Sequence, residues 1–162
     1  MRRTSLAAAL SLVLAAAPAM AADIVATAQK AGKFNTLLAA ATAAGLVDEL
    51  QARGPLTVFA PTDAAFEALP EGTVEAFLEP GNRKKLAAII AYHVVPARIP
   101  AADVPTRPTK VRTLNLSDAK IRAVRRGGHV FVNGVRVVQA NIFTDNGVIH
   151  VIDQVLFPGE LR

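Results

Sequence analysis

The apolar residues of this chain change their period at Tyr92, and that change limits the fold more than any other feature. From Asp23 to about Ala91 they recur at helical spacing. Phe34, Leu37, Leu38 and Ala41 fall on one helical face, as do Leu86, Ile89 and Ile90. The breaks carry helix-end chemistry. Asp23 is placed to cap IVATAQKA, which Gly32 stops, and Gly45 and Gly54 end the next two segments. Thr62 is placed to cap DAAFEAL with Asp63 in its first turn, Thr73 to cap VEAFLEP and Asn82 to cap RKKLAAIIA. A short β-type segment, LTVFAP, interrupts this helical half.

From Tyr92 onward the pattern is period two. YHVV, KVRTLNL, KIRAVR, HVFV, VRVV, GVIHVI and QVLF read as strands. Asn133-Gly134 and Gly127-Gly128 are hairpin signals. Pro96 to Pro108 reads as an ordered loop between segments that need each other for a core. A helical half followed by a strand half predicts an α+β domain with helices packed on an antiparallel sheet or sandwich.

The first 21 residues stand apart. Arg2 and Arg3 precede an apolar run, Leu6 to Ala17, and Ala19-Met20-Ala21 fits a cleavage site. This is the order of a secretory signal peptide, 1–21, ahead of a single domain at 22–162. The expected location is secreted, periplasmic or extracellular, with no integral membrane segment left after cleavage. The chain has no cysteine, so a disulfide cannot support it in an oxidising compartment and the core must.

Composition and spacing argue against most chemistry. Without cysteine there is no thiol nucleophile, and the expected mature chain holds one serine, Ser117, outside any G-x-S-x-G setting. His93, His129 and His150 lie far apart, with neither H-E-x-x-H nor an Asp-rich calcium loop, so no metal or cofactor is expected. Glu67, Glu71, Glu75 and Glu79 recur every four residues, but Pro70 and Gly72 interrupt them. No catalytic residue is assigned. Arg2 and Arg3 leave with the signal, so the formal +5 shrinks to a mildly basic balance that does not call for nucleic acid. One basic run stands out: Arg107, Lys110, Arg112, Lys120, Arg122, Arg125 and Arg126, against Asp118 alone. It reads as a solvated sheet face or as a site for an anionic polysaccharide or lipid headgroup. Aromatic residues for base stacking are missing from it.

The stretch TDNGVIHVIDQVLFP, Thr144 to Pro158, mixes a histidine and two aspartates with branched apolar residues. On a strand Val148, His150 and Ile152 share one face, and Ile149, Val151 and Asp153 the other, so His150 and Asp153 form no local dyad. Asp145-Asn146-Gly147 is turn chemistry. Thr62, Asp63, His150 and Asp153 are therefore expected to be structural polar residues, with His150 a hydrogen-bonded core histidine.

LTVFAPTDAAF (Leu56 to Phe66), AYHVVP (Ala91 to Pro96) and NGVRVVQANIFTDNGVIHVIDQVLFP (Asn133 to Pro158) follow one another in an order and spacing that resemble the fasciclin domain. The resemblance covers essentially the whole expected mature chain. It implies helices wrapped on a strand-rich wedge or sandwich, and adhesion or surface and matrix binding without catalysis. It also implies partner binding near the Tyr-His motif, here Tyr92 and His93. Leu114-Asn115-Leu116 departs from the family by lacking the glycine usual there. The other function class open to such a domain is a small-ligand carrier or accessory binding module, which a deep apolar pocket would favour.

Overall fold

The computed structural model describes residues 22–159. The expected signal peptide lies outside them. The helical half contains α1 (Ile24–Ala31), α2 (Asn35–Ala44), α3 (Val47–Gln51), α4 (Asp63–Glu67), α5 (Thr73–Leu78) and α6 (Arg83–Tyr92). The strands are β1 (Leu56–Pro61), β2 (Val94–Val95), β3 (Thr109–Arg112), β4 (Lys120–Arg126), β5 (His129–Val132), β6 (Val135–Thr144) and β7 (Gly147–Ile152). They form one sheet in the order β2-β1-β7-β6-β5-β4-β3. All neighbours are antiparallel except β1 and β7, which run parallel from Leu56↔Gly147 to Pro61↔Ile152. No helix among the described residues is long and apolar enough to cross a membrane.

The sheet curls into a wedge. Register shifts on either side of Gln139 and a left-handed residue, Asn141 (φ 61°), bend β6 where it passes from β7 to β5. The far edges approach each other, and Leu114 N donates to Val94 O at 2.8 Å. Two cores result. One lies between the helices and one face of the β1–β7 pair, and contains Val58, Ala60, Ile149 and Val151 with Leu37, Phe66 and Ile90. The other fills the wedge, with Phe59, Ile152, Tyr92, Ile121, Val130 and Val132. Because both faces of β1 and β7 meet a core, every residue of both strands is buried.

Local chemistry explains most boundaries. The Asp23 carboxylate accepts from Ala26 N at 2.8 Å, and Gly32 closes α1 at φ 70°. Thr62 Oγ1 accepts from Ala65 N at 3.3 Å, so Thr62 caps α4. Both hairpins have the two positive φ angles of a tight turn: 51° and 83° at Asn133-Gly134, 56° and 77° at Gly127-Gly128.

Several expected elements differ. Thr73 is the first residue of α5 and not its cap; Gly72 holds the cap position at φ 80°. Asn82 makes no cap bond to α6, because its amide turns back to Ala76 O at 2.6 Å and finishes α5. Tyr92 ends α6, which leaves only Val94–Val95 as strand. The Leu114–Leu116 stretch leaves the ladder after Arg112, and Asp118 at φ 55° helps make the turn. QVLF is not a strand: the β7 ladder ends at Ile152, and Val155 and Leu156 pack as a tail against the two cores.

The helical half is tied to β7 by Asn146, the residue before it. Its buried amide accepts from Ile24 N (3.0 Å) and Thr144 Oγ1 (3.3 Å) and donates to Leu50 O and Ala52 O (2.8 Å each). That uses the full bonding capacity of one amide. Gly147 follows because the Leu56 carbonyl lies where its side chain would begin. Replacing Asn146 with Ala leaves buried backbone groups unpaired, so Asn146→Ala is expected to cost about 3 kcal/mol. Thr62→Ala loses one partly exposed cap and should cost about 1 kcal/mol. Urea denaturation of the two variants beside the parent measures both, and equal losses would contradict the difference in role.

Candidate functional site

The polar residues singled out in the sequence divide into internal ties and surface groups. Tyr92 and His93 are 4% and 1% exposed. Tyr92 Oη donates to Lys120 O at 3.2 Å and accepts from Asn133 Nδ2 at 2.8 Å, which joins α6 to β4 and to the β5–β6 turn. His93 Nδ1 lies 2.8 Å from Ile89 O, and its Nε2 accepts from Leu156 N at 2.9 Å. Accepting at Nε2 leaves the ring proton on Nδ1, so His93 is the neutral Nδ1–H form. Direct contact with a partner through these two side chains would require them to leave the core.

His150 mirrors this arrangement with its nitrogens exchanged. Nδ1 accepts from Asn141 N at 3.2 Å, and Nε2–H donates to Ile99 O at 2.7 Å. It therefore holds both the bend in β6 and the Pro96–Pro108 loop. Thr57 secures the same loop, donating to Ala97 O at 2.6 Å and accepting from Ile99 N at 2.9 Å. Asp63 sits in the first turn of α4, yet its carboxylate reaches α2, accepting from Thr36 N at 2.7 Å and Asn35 Nδ2 at 3.0 Å. It supplies the cap that α2 lacks within its own sequence. Burial pulls the Asp63 carboxyl upward, but these hydrogen bonds outweigh it and hold it below its ordinary value. Asp153 lies exposed in the bend after β7. The three histidines do not converge, and no group of three metal-ligating side chains occurs among the described residues.

The basic run is sorted by the sheet. Arg125 turns inward to Val104 O, while Arg112 and Lys120 both pair with exposed Asp118 at 3.5 and 3.6 Å. Arg122 and Arg126 remain outside. With Val124, Phe131, Pro108 and two turn glycines they line an open concavity of about 650 Å³. Arg136 extends the same face, since it pairs across the ladder with Phe131 and lies 3.1 Å from His129. Neither ion pair among the described residues involves Arg122, Arg126 or Arg136. Sequence reasoning missed Arg136 because it lies outside the run; only the hairpin register brings it in.

This arrangement of a β1–β7 parallel pair, buried Tyr-His and wedge-shaped sheet can be set beside known proteins. The fasciclin domain model matches residues 32–158. The chain belongs to the fasciclin family. Protein sll1483 of Synechocystis is 46% identical over 148 residues, 91% of this chain and 80% of that protein. The transforming growth factor-beta-induced protein ig-h3 of Sus scrofa is 39% identical over 126 residues, 78% of this chain but 18% of that one. Among solved structures, the FAS1 domain pair of the insect cell adhesion molecule fasciclin I superposes with a TM-score of 0.63 at 18% identity, over 86% of this chain and 52% of the pair. The fasciclin fold inferred from the three sequence boxes is thus the fold of this chain.

The two buried histidines make stability depend on pH. Burial lowers His93 from 6.5 to about 4, against the opposing hydrogen bond to Ile89, and burial lowers His150 as well. Below 6.5 the unfolded chain binds protons that folded His93 refuses. Its contribution is therefore complete above pH 6.5 and falls by about 3 kcal/mol as pH drops toward 4. His150 acts in the same direction. Melting midpoints should be level above neutrality and fall steadily through mild acid. A midpoint unchanged between neutral pH and about 4.5 would contradict the buried neutral rings.

Proposed function

We propose that this domain is a secreted, non-enzymatic adhesion module, periplasmic or extracellular, that binds anionic polysaccharide of a cell surface or matrix. The observation that carries the reading is the outward face of β4–β6, where Arg122, Arg126 and Arg136 flank an apolar floor of Val124 and Phe131 and have no carboxylate partner among the described residues. A row of guanidinium groups on a stiff ladder suits repeated sulfate or carboxylate groups, because each planar fork takes two oxygens at once. The open shape suits a polymer lying across it. Family membership supports a binding role, as does the adhesive role of fasciclin I, whose domains share this fold. Secretion rests on the Arg-apolar-Ala-Met-Ala order of residues 1–21.

Retention on immobilised heparin, with dextran as the neutral comparison, tests the reading. The parent should be retained on heparin alone and should elute earlier as salt rises. Arg122→Ala combined with Arg126→Ala should weaken binding at least roughly tenfold without moving the melting midpoint. Equal retention of parent and double variant would refute this face as the site.

A further inference from the structure

A second concavity lies between α3, α6 and the turn after β3. It has a volume of about 590 Å³, within the range of small-molecule sites, and shares no residue with the basic face. Its wall is apolar: Leu46 and Leu50, Ala87 and Ala91, Leu114 and Leu116. The space exists because α6 presents alanines on this side, at 87, 88 and 91, where larger residues would fill it.

The opposite lip is held in place. Asn115 is buried, donates to Ala88 O at 2.8 Å and accepts from Ser117 N at 2.8 Å, while Thr113 Oγ1 donates to Ala119 O at 2.7 Å. These bonds fix the turn against α6. They leave Leu116 fully exposed at the mouth, with a relative exposure of 103%. Leu116 thereby adds exposed apolar surface beside the apolar hollow. The rim is polar. Lys84 stands one turn before Ala88 on α6, and Glu49 projects from α3. Neither belongs to the ion pairs among the described residues, so the rim carries one ammonium and one carboxylate that are not bonded to each other.

We propose that this pocket binds an amphipathic monocarboxylate of the fatty-acid class. Its chain lies against the alanine face of α6 beneath Leu116, and its carboxylate meets Lys84 at the rim. The chain takes the apolar wall because water gains by leaving both surfaces. Lys84 is the one cation of this lining and Glu49 its one carboxylate, so the acid seats its head on Lys84 and away from Glu49, which sets its orientation and the preference for an acid over its neutral ester.

Fluorescence titration of the whole mature domain with dansyl-labelled undecanoic acid tests this, with its methyl ester in parallel. The acid should bind saturably at one site per chain, and roughly tenfold more tightly than the ester. Lys84→Gln should reduce the acid to the level of the ester and leave the ester unchanged. Ala87→Phe should fill the cavity and abolish binding of both. Should that variant fold poorly, Leu116→Glu serves instead, since an exposed position tolerates the change and the new charge repels the acid. Absence of saturable binding, or a folded Ala87→Phe or Leu116→Glu variant that binds like the parent, would overturn the site. Equal affinity of acid and ester for the parent would overturn Lys84 as the recognition group. Binding of the acid lost with the Arg122 and Arg126 substitutions, but not with Leu116→Glu, would move it to the basic face and overturn the pocket.

Discussion

The parallel pairing of β1 with β7 is the constraint on which the rest of the domain depends. It joins a strand from the helical half to β7, the last strand among the described residues, over six residue pairs. A parallel pair needs a long crossover, and here nearly everything between Pro61 and Gly147 serves as that connection. Both strands lose solvent on both faces, so two cores form around one ladder. Leu56 and Gly147 approach so closely at its start that no side chain fits at Gly147. Asn146 fixes that end by bonding α1, α3 and the β6 turn at once.

Most of the buried polar residues act on this joint or its surroundings, while Thr113 and Asn115 hold the turn after β3 against α6. His93 binds the tail after β7 to the end of α6. His150, within β7, binds the β6 bend and the loop that follows β2. Each ring uses one nitrogen as donor and the other as acceptor, with the roles exchanged between them. Either ring can take a second proton only by giving up the bond its acceptor nitrogen makes. Among the described residues, no buried side-chain nitrogen or oxygen lacks a partner. The two proposed binding sites, the arginine face and the alanine-walled pocket, accordingly lie outside this satisfied core.

Much of this was legible in the sequence where the signal was local. Asp23, Gly32, Gly45 and Thr62 marked helix ends, and Asn133-Gly134 marked a hairpin, because each acts on its own neighbours in the chain. Alternation placed His150 with Val148 and Ile152. Polar residues that act at a distance were opaque. Asn82 and Thr73 had cap chemistry, but Asn82 served the preceding helix and Thr73 lay one residue inside its own. Asp63 stands in the first turn of its own helix and also caps another. Asn146 reads as ordinary turn chemistry, since three of its four partners are backbone groups of Ile24, Leu50 and Ala52, far away in the chain. The parallel pairing left one trace, the near-continuous apolar runs LTVFA and GVIHVI, which mark strands buried on both faces. QVLF carried the same trace, yet it lies beyond the end of the β7 ladder. The pocket had no sequence signature, because alanines on a helix look alike whether they face a neighbour or a gap.

The central claim is that the histidines of the Tyr-His motif and of β7 are neutral internal ties of opposite tautomer. Long-range nitrogen–proton NMR of the imidazole rings tests it most directly. At pH 6 the spectrum should show His93 protonated at Nδ1 and His150 at Nε2, each with a slowly exchanging ring proton. Two rings that titrate together near 6.5, with ring protons lost to rapid solvent exchange, would contradict the account.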